Sequence, residues 1–144
     1  MAAAVRDEVD ADALPHASPV DEQMALFRRA HELPQLRENR LRARAAGEHA
    51  ARMCLEGRVA HALADGDPEQ RVRRAGLQAA LVGEAVARAP SADAAFAAMR
   101  RSPSHRMTLL DRRFTDMGVG RARDRVERTC LVVLLAAWPR YIGK

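Results

Sequence analysis

Aromatic side chains are scarce in this chain. Three Phe, one Trp and one Tyr make up 3% of its 144 residues. Stacking platforms for nucleic-acid bases are therefore nearly absent, and no DNA-reading motif appears, so nucleic acid is not an expected partner. Long hydrophobic runs are also missing. The longest, Cys130–Trp138, falls far short of the ~20 residues that cross a bilayer, so no integral membrane segment is expected. The opening MAAAVRDEVDADALPHASP is acidic and lacks the apolar stretch of an export signal. Either the protein stays in the cytoplasm or an export signal precedes this chain. Cysteine is limited to Cys54 and Cys130, without metal-motif spacing. One disulfide and two buried thiols both remain open. Nor is there a GxxxxGK[ST], HExxH, GxSxG or CxxC pattern to place a nucleotide, a zinc-protease helix, a serine nucleophile or a redox pair.

What remains is a patterned chain rich in Ala, Leu, Val and Arg. Its length suits one core. The net charge is +5, and Lys144 is the only lysine. Most arginines alternate with Asp and Glu, as on solvated helix faces. Residues 1–17 read as a loose tail without periodicity, and residues 18–144 as a single domain.

Ser18-Pro19-Val20-Asp21 predicts a helix start, with Ser18 capping and Pro19 in the first turn; that helix runs to about His31. A second covers about Glu38–Glu56 and stops at Gly57. On it Leu41, Ala45, His49 and Met53 recur every four residues, which puts them on one half-buried face. Asp67-Pro68 opens a short helix through Arg74, closed by Gly76. Leu77–Ala89 reads as a loop or short extended segment. Ser91 caps a helix over about Ala92–Arg101, and Ser102-Pro103 leads into a short helical turn around His105. Met117–Gly120 reads as a strand with glycines where another backbone comes close. Glu127–Trp138 reads as a strand buried on both faces, joined to the previous one by a turn at Asp124-Arg125. Helices followed by two late strands make an α+β arrangement with helices on both faces of the sheet.

Three residues stand beside small or turn-forming neighbours and are candidates for chemistry: His61, Glu84 and His105. Two imidazoles can hold a divalent cation, and a carboxylate can orient one of them or act as a base. Spacing alone gives this grouping little specificity.

An ordered series of motifs adds to it. His49–Met53 followed by His61 comes first, then Asp65-Gly66, Arg71 and Ala75-Gly76, then Gly83-Glu84-Ala85. The block SPSHRMTLLDRRFTDMGVG, Ser102–Gly120, closes the series, and ELPQL at Glu32–Leu36 stands upstream. Over about Ser18–Trp138 this resembles the CAP superfamily of cysteine-rich secretory, antigen 5 and pathogenesis-related 1 proteins (allergen V5/Tpx-1-related), in its bacterial SCP-like branch. The resemblance implies a three-layer α-β-α sandwich with a small, mostly antiparallel sheet between helices. It implies a ligand cleft holding His61, Glu84 and His105, flanked by Ser104 and Arg101, with His61 and His105 as the metal-binding pair for Zn2+ or another divalent cation. It further implies a secreted, periplasmic or cell-envelope protein, a monomer or weak dimer, whose partner is a lipid, peptide or cell-wall glycan. Non-enzymatic binding is the leading expectation. The alternative is a divalent-metal-dependent, peptidase-like hydrolase using His61, His105 and Glu84. This chain departs from the family pattern at Ala85, Met99, Ser104 and Thr108, which predicts an altered pocket; arginines at 100 and 101 would favour an anionic ligand if they face it.

Overall fold

The computed structural model describes residues 19–138. The expected tail and the Ser18 cap lie outside the described residues. Five helices and a four-stranded sheet are seen there: α1 (Val20–Ala30), β1 (Arg37–Glu38), α2 (Arg40–Glu56), α3 (Pro68–Arg74), β2 (Leu81–Ala89), α4 (Ala92–Arg101), α5 (Pro103–Leu109), β3 (Asp116–Arg123) and β4 (Thr129–Ala137). The strand order is β1-β3-β4-β2; β1 runs parallel to β3, and the other pairs are antiparallel.

Local chemistry sets most of the boundaries. Asn39 caps α2 by accepting from the Arg42 N–H, and Gly57 ends it with φ 67°. Asp67 and Gln70 close a capping box around the start of α3, and Ser91 caps α4 through the Ala94 N–H. At α1, Pro19 is the flanking residue rather than the first helical one, so the helix starts a position later than expected. The two-residue β1 takes Glu38 out of the second helix.

β4 is buried along its entire length because both faces are covered. On one face Leu131, Val133 and Leu135 meet Met24 of α1, Phe96 and Met99 of α4, and Leu109 of α5. On the other, Cys130, Val132 and Leu134 meet Ala46, Ala50 and Met53 of α2 and Val72 of α3. The result is the expected α-β-α sandwich. Along α2, Ala45, His49 and Met53 are buried, while Leu41 sits at the rim, 46% exposed. Helix α2 lies so close to β3 that a Cβ at Gly118 would land on the Arg42–Ala43 backbone, and one at Gly120 on the Ala46–Gly47 backbone.

Leu77–Ala89 is mostly strand rather than a loop or short extended segment: its last nine residues are β2, paired with β4 from Leu81↔Ala137 to Ala89↔Thr129. A glycine and a carboxylate break the apolar run and hide the strand in the sequence. Gly83 is needed because a side chain there would strike the Phe114 ring at 2.5 Å. Glu84 is tolerated because its charge is met, as described next.

Candidate functional site

Alternation along β2 sends Glu84 toward the α2/α3 layer and Ala85 toward the α1/α4/α5 layer. The Glu84 side chain is 1% exposed. A carboxylate taken that far out of water needs a cation and hydrogen bonds. Arg71 of α3 supplies both through a bidentate pair, Nη1 to Oε2 at 2.7 Å and Nη2 to Oε1 at 3.2 Å. The same guanidinium donates to the His61 carbonyl at 2.6 Å and to the Gly66 carbonyl at 3.3 Å. Arg71 thus fastens the strand to the segment that carries His61.

His61 completes the relay. Its Nδ1–H donates to Glu84 Oε1 at 2.9 Å, since an ionised carboxylate can only accept. The ring is 55% exposed, and Nε2 has no hydrogen bond among the described residues. The hydrogen bond to Glu84 raises the His61 pKa above its ordinary value, against partial desolvation and the nearby Arg71 charge. The segment is held from below by His49, fully buried, whose ring bonds Asp65 Oδ2 and the Ala60 carbonyl, each at 2.8 Å.

His105 sits on α5 and bonds the same strand two residues further on. Its Nε2–H donates to the Val86 carbonyl at 3.1 Å, and Nδ1 accepts from Ser102 Oγ at 2.8 Å. Both ring nitrogens are therefore engaged. Ser104 lies beside Ser102, with the two Oγ atoms 3.4 Å apart, and Arg101 is exposed at the end of α4. Among the described residues, no hydrogen bond or ion pair joins His105, Ser104 or Arg101 to His61 or Glu84. Arg100 lies over the Phe96 ring at 5.0 Å.

Residues 22–135 match the sequence model of the cysteine-rich secretory protein (CAP) family. The chain belongs to the CAP family. Solved structures agree in fold. An outer surface protein of Borrelia burgdorferi superposes with a TM-score of 0.77 at 22% identity, covering 83% of this chain and 90% of that one. An extracellular SCP-domain protein of Bacillus anthracis gives 0.74 at 24% identity, with 82% of this chain against 39% of that longer protein. A cysteine-rich secretory protein of Staphylococcus aureus gives 0.60 at 19% identity, covering 80% and 37%. No curated protein sequence matches the chain.

Within this CAP domain, a metal does not fit the donors as they stand. Glu84 gives both oxygens to Arg71 and His61, and His105 uses both nitrogens. Only His61 Nε2 is free, and one imidazole is far short of the three protein ligands of a catalytic zinc. No group of three or more His, Cys, Asp or Glu among the described residues is arranged to hold a metal ion. Arg71 stands where a cation would otherwise neutralise Glu84. The departures at Ala85 and Met99 also take on a structural sense, since both are buried in the α1/α4/α5 layer rather than beside Glu84. Arg71, Asp65 and Ser102 were not singled out as site residues from the sequence. The signal available for Arg71 was the demand of a lone Glu inside an apolar strand for a cation.

Proposed function

We propose that this CAP domain is a non-enzymatic binding module of the bacterial cell envelope or exterior, and that it holds the anionic group of a lipid, peptide or glycan at His61. The single observation carrying this reading is the Arg71–Glu84–His61 relay. Glu84 fixes the ring and favours its protonated form, while Arg71 neutralises Glu84, so a protonated His61 presents an Nε2–H donor to a carboxylate or phosphate. Exposed Arg101 adds to the positive field if the ligand spans α4. Membership of the CAP family and the extracellular descriptions of solved relatives support the location.

The sign of the pH effect follows from the raised His61 pKa. The imidazolium, and with it anion binding and the ring's contribution to folding, is fully present below its unfolded value of about 6.5. Both are lost as pH rises through the folded value. The test is a titration followed at the His61 ring by NMR, using a muramyl peptide with a free carboxylate, a short-chain anionic phospholipid and a neutral sugar. One of the anionic probes should shift the ring at pH 6 and bind at least several-fold more weakly at pH 8.5, and its shifts of the surrounding backbone amides should vanish in His61→Ala. No shift by either anionic probe at millimolar concentration would sink the reading. Metal-dependent hydrolysis requires His105 and Glu84 to give up their present partners. Micromolar Zn2+ binding that is lost in both His61→Ala and His105→Ala, with peptide turnover lost in Glu84→Ala, would establish it instead.

A further inference from the structure

We propose that Cys54 and Cys130 are a disulfide-forming pair that closes when the chain meets a thiol–disulfide oxidant and ties α2 to the sheet. Cys54 lies in the last turn of α2, and Cys130 is the second residue of β4. Both are free thiols, and their sulfurs are 2.7 Å apart. Two side chains already in contact across an interface need only small χ rotations to reach the ~2.05 Å bond. The pair spans 76 positions, so closure removes much conformational freedom from the unfolded chain.

Access is unequal, and that sets the order of events. Cys130 is fully buried. Cys54 is half-buried and opens to a groove of about 570 Å³ lined by Ala51, Leu55, Ala122 and Val126, among others. Burial first, and then the contact with Cys54, which holds Cys130 in its protonated form, push the Cys130 thiol up to about 12. Cys54 is therefore the entry thiol. Its thiolate attacks the oxidant's disulfide, expels one sulfur as a thiolate and leaves a mixed disulfide. Cys130 then gives up its proton to solvent, and its sulfur attacks Cys54 Sγ. The oxidant's second sulfur leaves as a thiolate. The protein pair loses two electrons and two protons, and the oxidant's disulfide becomes two thiols. The second step is the slow one and accelerates with rising pH.

The consequence reaches the candidate site. Gly57, three residues after Cys54, begins the segment that leads to His61, and the disulfide would fix the point from which it departs. Such a bond persists in oxidising compartments and opens in reducing ones.

The test is incubation of the purified chain with oxidised glutathione, followed by alkylation under denaturing conditions, mass spectrometry and a melting curve. The expected product is a monomer two hydrogens lighter, with no alkylated cysteine and linked Cys54 and Cys130 peptides. Its melting temperature should rise by roughly 10 °C, reversibly on reduction. Cys54→Ser should stay folded and lose the response. Full alkylation of both cysteines, glutathione retained on Cys54 without closure, or an oxidant-dependent rise persisting in Cys54→Ser would overturn the proposal. None of these outcomes bears on anion binding at His61.

Discussion

At a pH where His61 is neutral, Arg71→Ala is expected to lower the unfolding free energy by about 3–5 kcal/mol, because it leaves the buried Glu84 carboxylate with an uncharged imidazole as its sole remaining partner. Arg71 is itself only 4% exposed and donates to the His61 and Gly66 carbonyls as well as to Glu84, so its removal also leaves two carbonyls without their donor. A loss of that size is a large part of the 5–15 kcal/mol that holds a typical domain together. Urea unfolding of the wild type and the variant measures it. The mechanism predicts a specific rescue: adding Glu84→Gln to Arg71→Ala should recover much of the loss, since the uncompensated charge goes. If the double variant is as unstable as the sum of the single ones, the cost comes from elsewhere in the packing.

Gly120→Val should also be damaging, by about 3 kcal/mol, the upper end of what overpacking costs, because the clash is with backbone. Its side chain would have to enter the backbone of α2 at Ala46–Gly47, and backbone has no alternative rotamer. The helix would have to lift from β3, opening the layer that contains Ala50, Met53 and Val132. Gly47→Ala is the matched control. A Cβ there meets nothing within 4 Å, so the exchange should be neutral or stabilise by up to ~1 kcal/mol through helix propensity. The melting temperature should therefore fall well below wild type in Gly120→Val and not in Gly47→Ala. Similar melting temperatures would contradict the close approach of α2 to β3.

The fold was largely legible because its signals are local. Ser91, Asp67 and Gly57 mark helix ends by chemistry that acts over a few residues, and the uninterrupted apolar run of β4 can only be covered on both sides. Gly118 and Gly120 likewise announced a close backbone. Strand β2 was obscured because two of its nine residues answer to partners remote in sequence: Gly83 to Phe114 and Glu84 to Arg71. The two-residue β1 depends wholly on its pairing with β3 and has no signature of its own.

The candidate site divides along the same line. His61, Glu84 and His105 carry types and spacing that a family pattern preserves. How they are used is decided by the donors and acceptors around them, which the pattern does not name. Ser102 turns His105 into a fully bonded structural ring, and Arg71 turns Glu84 from a potential metal ligand into the anchor of His61. The departures at Ala85 and Met99 looked like losses from a pocket but fill a core: Ala85 because adjacent residues on a strand face opposite layers, and Met99 because it lies on the face of α4 that packs on the sheet.

Glu84 is expected to govern the charge of His61. An NMR pH titration of the His61 ring in the wild type and in Glu84→Gln tests it most directly. The wild-type midpoint should lie above about 6.5 and fall clearly in Glu84→Gln, where desolvation and the Arg71 charge act without the carboxylate. Equal midpoints in the two proteins, with the fold intact, would contradict it.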